Sequence, residues 1–515
     1  MPTRHDLALV VDLGTTGLKV GVATLDGRLL ASRQAQLTTV HGPDGAATQD
    51  AQQWWDLIAG MSSTLLAEID PVGIAAVAVS GQYASIVPVD DQGTPVDDCV
   101  LWSDQRGGRH TRRLIGGLVA GYRPGAVLRF VRTTGGAPSP SGADGTGGLL
   151  HLLNDRPEVV AKTAHLLEPV DYLAMRFCGV ARGTHASMFG SWLTDNRSLD
   201  RMAYDPGLLR ALGIPATLLP TLVPFGSMIG AVTAAAARST GVPEGTPVLA
   251  GVPDLHAAAL GTGTTELGGP GHLALSTTSW ISAPHPTKKT DILHSIATMP
   301  GLDQSSYLIV NNHEIGAKAL EWFAGGLGSS TPVDYDALCA EAAMAAPGSG
   351  SVIFTPWLAG ERSPVESHSA RGGFHNVSVT TTRAELIRSV LEGVAYNSRW
   401  LAEYVDRFAG RTLTPLRIVG GGARSRLWCQ IHADVMGRPI EQVAEPMVAQ
   451  LRGTALLAGR TLGVLDDAEI PTLVDIAERF EPDAATAATY DRLYAEFPKL
   501  IKTQAPMFRR LQRRR

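Results

Sequence analysis

Five short segments carry residue types that could handle a phosphate, a metal ion, a proton or a polyol. The first is Asp12-Leu13-Gly14-Thr15-Thr16-Gly17-Leu18-Lys19, an apolar run ending on a carboxylate and followed by a Gly-Thr-Thr turn. Glycine lets backbone approach a ligand, and successive N–H groups with the Thr15 and Thr16 hydroxyls can wrap a phosphate. Asp12 is placed to hold Mg²⁺ through water, because Mg²⁺ sheds its waters reluctantly. Lys19 adds positive charge. An ordinary hairpin turn explains the same residues about equally well. The second is Ile418-Val419-Gly420-Gly421-Gly422-Ala423-Arg424-Ser425, a strand running through three glycines toward a helix. Bare backbone at a helix start can press against a base, a ribose or a phosphate. The third places Asp254 between an apolar strand and a small-residue helix. It is either an N-cap or a carboxylate suited to taking a proton from a hydroxyl. His256 beside it reads as a packing or capping residue.

The fourth comprises Gln82-Tyr83 and Leu101-Trp102-Ser103-Asp104-Gln105-Arg106. An amide and a carboxylate suit hydroxyls, and the Trp102 ring suits the carbon face of a polyol. Trp102 could equally be a core aromatic, and Asp104 a turn residue. The fifth is Glu361-Arg362, which could bind a ligand but reads first as a structural ion pair in a tight loop. There is neither a G-x-x-x-x-G-K-S/T loop nor a G-x-G-x-x-G fingerprint, so any nucleotide is held in neither the P-loop nor the Rossmann manner.

Buried strands and their turns must position these groups. Residues 7–13 and 18–23 read as strands joined by the 14–17 turn. Asp26-Gly27 marks a tight hairpin into a third strand at 28–32. Residues 51–69 read as a helix and 74–80 as a buried strand, and the alternation that follows predicts an α/β fold. Residues 133–148, rich in Gly, Ser, Thr and Pro, predict a mobile loop. Gly261–Gly271 is a candidate inter-domain connection, and residues 272–283 faintly echo 8–20, which suggests two related halves. The five arginines after Pro506 read as a solvated or frayed end.

Composition narrows the classes. The 515 residues include 44 Lys and Arg against 49 Asp and Glu, a formal net charge of −5. That balance argues against a nucleic-acid partner. The length predicts roughly three domains, or two large ones. The four cysteines lie far apart with no C-x-x-C pair, so neither a disulfide framework nor a structural zinc is expected. No signal peptide and no run of ~18 apolar residues is visible, which predicts a cytoplasmic protein without a membrane partner.

Taken in order, DLGTTGLK (12–19), SGQ (80–82), LWSDQR (101–106), GVPDLHAAALGTG (251–263), PWLAGERSP (356–364), IVGGGARS (418–425) and RGTALLAG (452–459) resemble the FGGY carbohydrate kinases, and the xylulokinases among them. The resemblance spans nearly the whole chain. It implies two actin/hexokinase-like (ribonuclease H-like) α/β domains, each a central mixed sheet flanked by helices, with a cleft between them. The expected division is 1–265, carrying the sugar site and catalytic base, and 266–515, carrying the adenine nucleotide. It implies ATP and Mg²⁺. Asp12 would order the metal, with Gly14, Thr15, Thr16 and Lys19 at the phosphates and Thr277 and Thr278 forming the second phosphate turn. Gly421, Gly422 and Ala423 would line the adenosine pocket. Asp254 would be the general base, and Gln82, Tyr83, Trp102 and Asp104 would sit at the sugar. The acceptor is a small sugar or polyol, a ketopentose such as xylulose first; the family also allows a homodimer.

The chain departs from the pattern in several places. Trp280 follows the second phosphate turn where glycine is usual. The family's Lys-x-x-Trp is missing near 133–148. Tyr83-Ala84 stands where xylulokinases carry Met-His, Leu255 where they carry Asn after the base, and Asn376 where Gly is usual. These departures leave open kinases for ribulose, glycerol, a tetritol, a hexulose or gluconate. The altered 277–280 loop also leaves open a catalytically silent sensor on the same fold. An NAD-dependent polyol dehydrogenase is disfavoured by the absent fingerprint.

Overall fold

The computed structural model describes residues 6–119, 121–325 and 333–512. The apolar run expected at 7–13 is strand β1 (Leu7–Leu13), buried throughout. It pairs antiparallel with β2 (Gly17–Thr24), and β2 with β3 (Leu29–Gln36). The second hairpin is tight because Gly27 takes φ 92 and its N–H bonds the Thr24 carbonyl at 2.9 Å. Helix α1 (Ala51–Glu68) starts where the Asp50 carboxylate accepts the N–H groups of Gln52 and Gln53, a side-chain cap on otherwise orphaned donors. It leads to β4 (Ile74–Gly81), which lies parallel to β1. Later in the chain β5 (Met228–Ala231), β6 (Pro247–Leu249) and β7 (Val252–Pro253) complete a seven-stranded mixed sheet in the order β5-β6-β4-β1-β2-β3, with β7 also paired to β4. Helix α2 (Asp254–Gly261) follows β7 directly.

A second sheet repeats this plan. Strand β8 (Gly271–Leu275) forms an antiparallel hairpin with β9 (Ser279–Ser282) and lies parallel to β10 (Leu416–Val419). Strands β11 (Ile440–Val443) and β12 (Ile476–Phe480) close it in the order β9-β8-β10-β11-β12. The pairings β1-β2 and β1-β4 thus recur as β8-β9 and β8-β10. The echo between 8–20 and 272–283 is a repeat of topology, hairpin turn on hairpin turn. Helix α3 (Arg383–Ala409) runs through the core of this half, and α4 (Arg426–Met436) leaves the glycine turn after β10.

The halves meet through helices. Helix α5 (Ala449–Thr461) belongs to the second half by sequence, yet it packs on α2 and the first sheet. The Arg452 guanidinium donates to the Gly261 carbonyl at 3.3 Å. Residues 262–270, the expected connection, link α2 to β8 without forming a strand or helix.

One expectation is corrected here. Residues 133–148 are packed, not loose. Thr133 and Thr134 close the helix Pro124–Thr134, and Gly145–Gly148 open the helix Gly145–Asp155, all of them buried. The glycines serve close approach: a Cβ on Gly107 would lie 2.0 Å from the Gly147 carbonyl oxygen, and one on Gly147 would lie 1.9 Å from that of Gly142. A composition that reads as flexibility is backbone packed on backbone. At the other end, the chain stays helical past Pro506 in Phe497–Leu511, which buries Phe497, Ile501 and Phe508. Arg509 and Arg510 lie on that helix and are exposed, as expected of a solvated end, and Arg513, Arg514 and Arg515 fall outside the described residues. Among the described residues no helix is long and apolar enough to cross a membrane.

The glycine packing has a direct check. Overpacking of this kind costs ~1–3 kcal/mol, so Gly107→Ala is expected to lower the thermal unfolding midpoint. Gly125→Ala, in the exposed first turn of the Pro124–Thr134 helix with open space for a Cβ, is expected to leave it unchanged or slightly higher. Equal midpoints for the two variants would contradict the packing.

Candidate active site

The parallel strands β1, β4 and β7 end together. Asp12 and Val252 both stand opposite Ser80, one on each side, so their backbones are two strand spacings, roughly 10 Å, apart. Asp254 comes two residues after Val252 as the first residue of α2. The carboxyl ends of parallel strands are where open α/β sheets place their ligands. Asp12 is buried, and its carboxylate has only long contacts, 3.3 Å from the Ser80 hydroxyl and 3.3 Å from the Lys19 ammonium. Asp254 does not cap its helix: Pro253 occupies the cap position, and among the described residues the carboxylate accepts only the N–H of the next residue, Leu255, at 2.7 Å. Burial, and then the charge of Asp12, push the Asp254 carboxyl up to about 7, opposed by the Leu255 N–H. His256 points away, with Nε2 on the Pro300 carbonyl at 2.7 Å and its ring on Phe225.

The polyol candidates gather beside this pair. The Gln82 side chain is buried; its Oε1 accepts the Thr15 hydroxyl at 2.9 Å, while its Nε2 has no partner among the described residues. Trp102 is half-buried, its Nε1 reaching the Thr15 hydroxyl at 3.4 Å and its backbone N–H the Ser85 hydroxyl at 2.9 Å. The Tyr83 hydroxyl is held above its ordinary range by burial and next by the nearby Asp254 charge. Asp104 is not brought to this face. Its oxygens take the Ala47 N–H at 2.8 Å and the Arg106 N–H and guanidinium, so it braces the 101–106 turn. Thr15, expected at the phosphates, is likewise turned toward Gln82 and Trp102. Thr16 is the exposed hydroxyl of that turn, and Gly14 closes it by donating to the Gly17 carbonyl at 2.8 Å.

The second turn, 276–278, sits between β8 and β9. Backbone N–H groups of Gly316 and Ala317 donate to the carbonyls of Thr277 (2.8 Å) and Ser276 (2.6 Å). Thr277 is exposed and Thr278 partly so, and neither hydroxyl has a hydrogen bond among the described residues. Trp280 does not obstruct the turn. It is buried in an apolar cluster that also holds Phe189, Leu255 and Val419, because alternate residues of β9 face opposite sides.

In the glycine turn after β10, two of the three glycines are structural. A Cβ on Gly420 (φ 95) would lie 2.5 Å from the Ser276 hydroxyl, and one on Gly422 2.5 Å from Leu275. Gly421 is exposed, with only Met447 near it at 3.7 Å, and Ala423 is buried. Gly421 is therefore the position with room for a ligand.

The expected Glu361–Arg362 ion pair does not form. The Glu361 carboxylate is buried and accepts Asn397 Nδ2 at 2.7 Å and the backbone N–H groups of Glu314 and Arg362; burial first of all pushes it up to about 8. Arg362 instead donates from Nε to Glu314 at 2.9 Å and lies 5.7 Å from the Trp102 ring centre, across from the first half. Its partner is 48 residues away in sequence, which no local pattern reveals.

The N-terminal and C-terminal models of the FGGY family of carbohydrate kinases match residues 7–261 and 284–462. The chain belongs to the FGGY family of carbohydrate kinases. A xylulose kinase of Lactococcus lactis is 25% identical over 98% of both chains. An erythritol kinase of Brucella abortus is 29% identical over 99% of both. Among solved structures, a ligand-bound xylulose kinase from Lactobacillus acidophilus aligns with a TM-score of 0.85 at 22% identity, covering 98% of this chain and all of the other. A Plasmodium falciparum glycerol kinase with ADP aligns at 0.82 and 17%, covering 96% and 98%. The fold is the two-domain actin/hexokinase-like one, and the protein is a phosphotransferase acting on a carbohydrate hydroxyl, with ATP as the family's donor.

The Asp12–Asp254 arrangement predicts a pH signature. A carboxyl raised from 3.8 to about 7 on folding keeps a proton the unfolded chain has released. Stability therefore falls as pH rises through that window and stays lower above it. Asp254→Asn is expected to raise the unfolding midpoint by a few degrees at about pH 8 and to change it little near about pH 4. Equal effects at both pH values would contradict the arrangement.

Proposed function

We propose that this kinase transfers the γ-phosphoryl group of MgATP to a hydroxyl of a small ketose, a ketopentose such as xylulose first, with Asp254 as general base. The observation that carries the reading is Asp254 itself. It is an uncapping carboxylate at a strand end beside Asp12, held near neutral pH, and a base poised near the working pH is the most effective one. The acceptor hydroxyl gives up its proton to Asp254 as the P–O bond forms. Gln82, Tyr83 and Trp102 hold the acceptor, and Thr16, Thr277 and Thr278 contribute exposed or partly exposed hydroxyls at the phosphates. Lys19 adds charge beside Asp12.

Asp12 suits Mg²⁺. It offers hard carboxylate oxygens whose contacts within the chain are long. Among the described residues no three His, Cys, Asp or Glu side chains form a cage. Mg²⁺ characteristically uses one or two carboxylates with phosphate oxygens and water. When bound, it neutralises charge on the transferring phosphoryl group. The reading keeps the division near residue 265, with acceptor and base on the first domain and the nucleotide against Gly421 on the second.

A second acceptor class is favoured by a specific observation. Tyr83 and Ala84 replace the Met-His of xylulokinases, and the erythritol kinase of Brucella abortus is 29% identical over nearly the whole chain. A tetritol is therefore the alternative acceptor.

The test is ADP release from MgATP with D- and L-ketopentoses, tetritols, glycerol, hexuloses and gluconate. Xylulose or another ketopentose is expected to give the highest kcat/KM; activity on tetritols alone would select the second reading. Asp254→Asn is expected to keep binding both substrates and to lose at least ~10²-fold in kcat. Near-normal turnover would remove the base. Gly421→Leu, at a position open to a side chain, is expected to fold normally and weaken nucleotide binding. Unchanged affinity in that variant would move the nucleotide elsewhere.

A further inference from the structure

Arg362 reaches toward Trp102 from the C-terminal half and has no part in the phosphoryl transfer described above. Glu361 fixes its backbone: the buried carboxylate takes the Arg362 N–H at 2.9 Å and is itself anchored on Asn397. The side chain leaves that anchor toward the first half. Its Nε is spent on Glu314 at 2.9 Å, but its two terminal nitrogens make no hydrogen bond among the described residues. A guanidinium carries five N–H donors, so four remain available. The side chain is 34% exposed, and its carbon centre lies 5.7 Å from the Trp102 ring centre. The guanidinium charge also acts on Tyr83 and Asp144. Gln82, in the same group, carries a second unpartnered donor, its buried Nε2.

An aromatic face with a neutralised guanidinium beside it and a free amide donor nearby is a site for a neutral, oxygen-rich molecule. The donors seek lone pairs on carbonyl or hydroxyl oxygens. The ring takes the carbon face.

We propose that Arg362 is an acceptor-binding residue, supplied by the C-terminal half to a sugar site otherwise built from the N-terminal half. Its terminal nitrogens donate to an oxygen of the acceptor seated on Trp102. The site is then complete only when both halves contribute, so acceptor binding is linked to their mutual placement. This rests on the kinase reading.

There is a competing structural role. Glu314 belongs to the 313–317 segment whose N–H groups hold the 276–278 turn. Arg362 could serve merely as a strut for that segment, and then its loss would weaken the phosphate side.

The experiment separates these. Arg362→Met and Arg362→Lys are purified in full-length protein. The acceptor KM is measured with the best acceptor from the panel, and the dissociation constant for MgADP by titration calorimetry. Hydrogen bonds from a charged donor justify an expected rise in acceptor KM of about 10–100-fold for Arg362→Met, with MgADP affinity within about twofold of wild type. Arg362→Lys, which keeps charge but not the fork, is expected to lie between. A wild-type KM in both variants, or a loss of MgADP affinity that equals or exceeds the change in KM, overturns the proposal while leaving the kinase reading intact. Absence of acceptor-dependent ADP release in the wild-type protein overturns the kinase reading itself, and this inference with it.

Discussion

Asp12 and Asp254 repel each other. The sheet holds Asp12 on one side of Ser80 and Val252 on the other, and Asp254 follows two residues after Val252 at the start of α2. Burial disfavours the charged form of a carboxyl, and a second carboxylate nearby disfavours it further. Burial first, and then the charge of Asp12, raise Asp254 to about 7. Much of the nearby structure serves to hold the pair in place. β1, β4 and β7 are buried, α2 begins at Asp254, and α5 from the second half packs on α2.

The two hairpins give this arrangement its symmetry and the side chains break it. Each half has a strand, a hydroxyl-bearing turn and an antiparallel return, with a parallel partner beside the first strand. In the first half the strand ends on Asp12. In the second, β8 ends on Leu275, and the backbone of 313–317 secures the turn. The first turn thus carries a carboxylate beside its hydroxyls, and the second carries hydroxyls without one. Trp280 lies in the buried apolar cluster and leaves the turn clear. The silent-sensor alternative rested on the altered 277–280 loop.

Local signals were legible in the sequence. The strand at 7–13, the helix at 51–69, the Asp26-Gly27 hairpin and the strand–glycine–helix run at 418–436 all rest on periodicity and turn chemistry within a few residues. The glycine-rich 133–148 segment was misread because composition cannot distinguish a glycine that frees the chain from one that lets two backbones touch; Gly107 and Gly147 do the latter. Asp104 and Thr15 had suitable chemistry, but their partners, Ala47 and Arg106 for one and Gln82 and Trp102 for the other, depend on tertiary packing. Arg362 was misassigned for the same reason. The nearest carboxylate in sequence, Glu361, is taken by Asn397, and the one that pairs with it is Glu314.

The most direct test of the central claim is to titrate Asp254 itself. Carboxyl-¹³C-aspartate NMR of the wild-type protein, with the resonance assigned by its loss in Asp254→Asn, is expected to show a group titrating near 7. In Asp12→Asn, which removes the facing charge and keeps the shape, that titration is expected to move down toward the ordinary carboxylate range. An Asp254 that titrates in the ordinary range in the wild-type protein, or at the same pH with and without the Asp12 charge, would contradict the account.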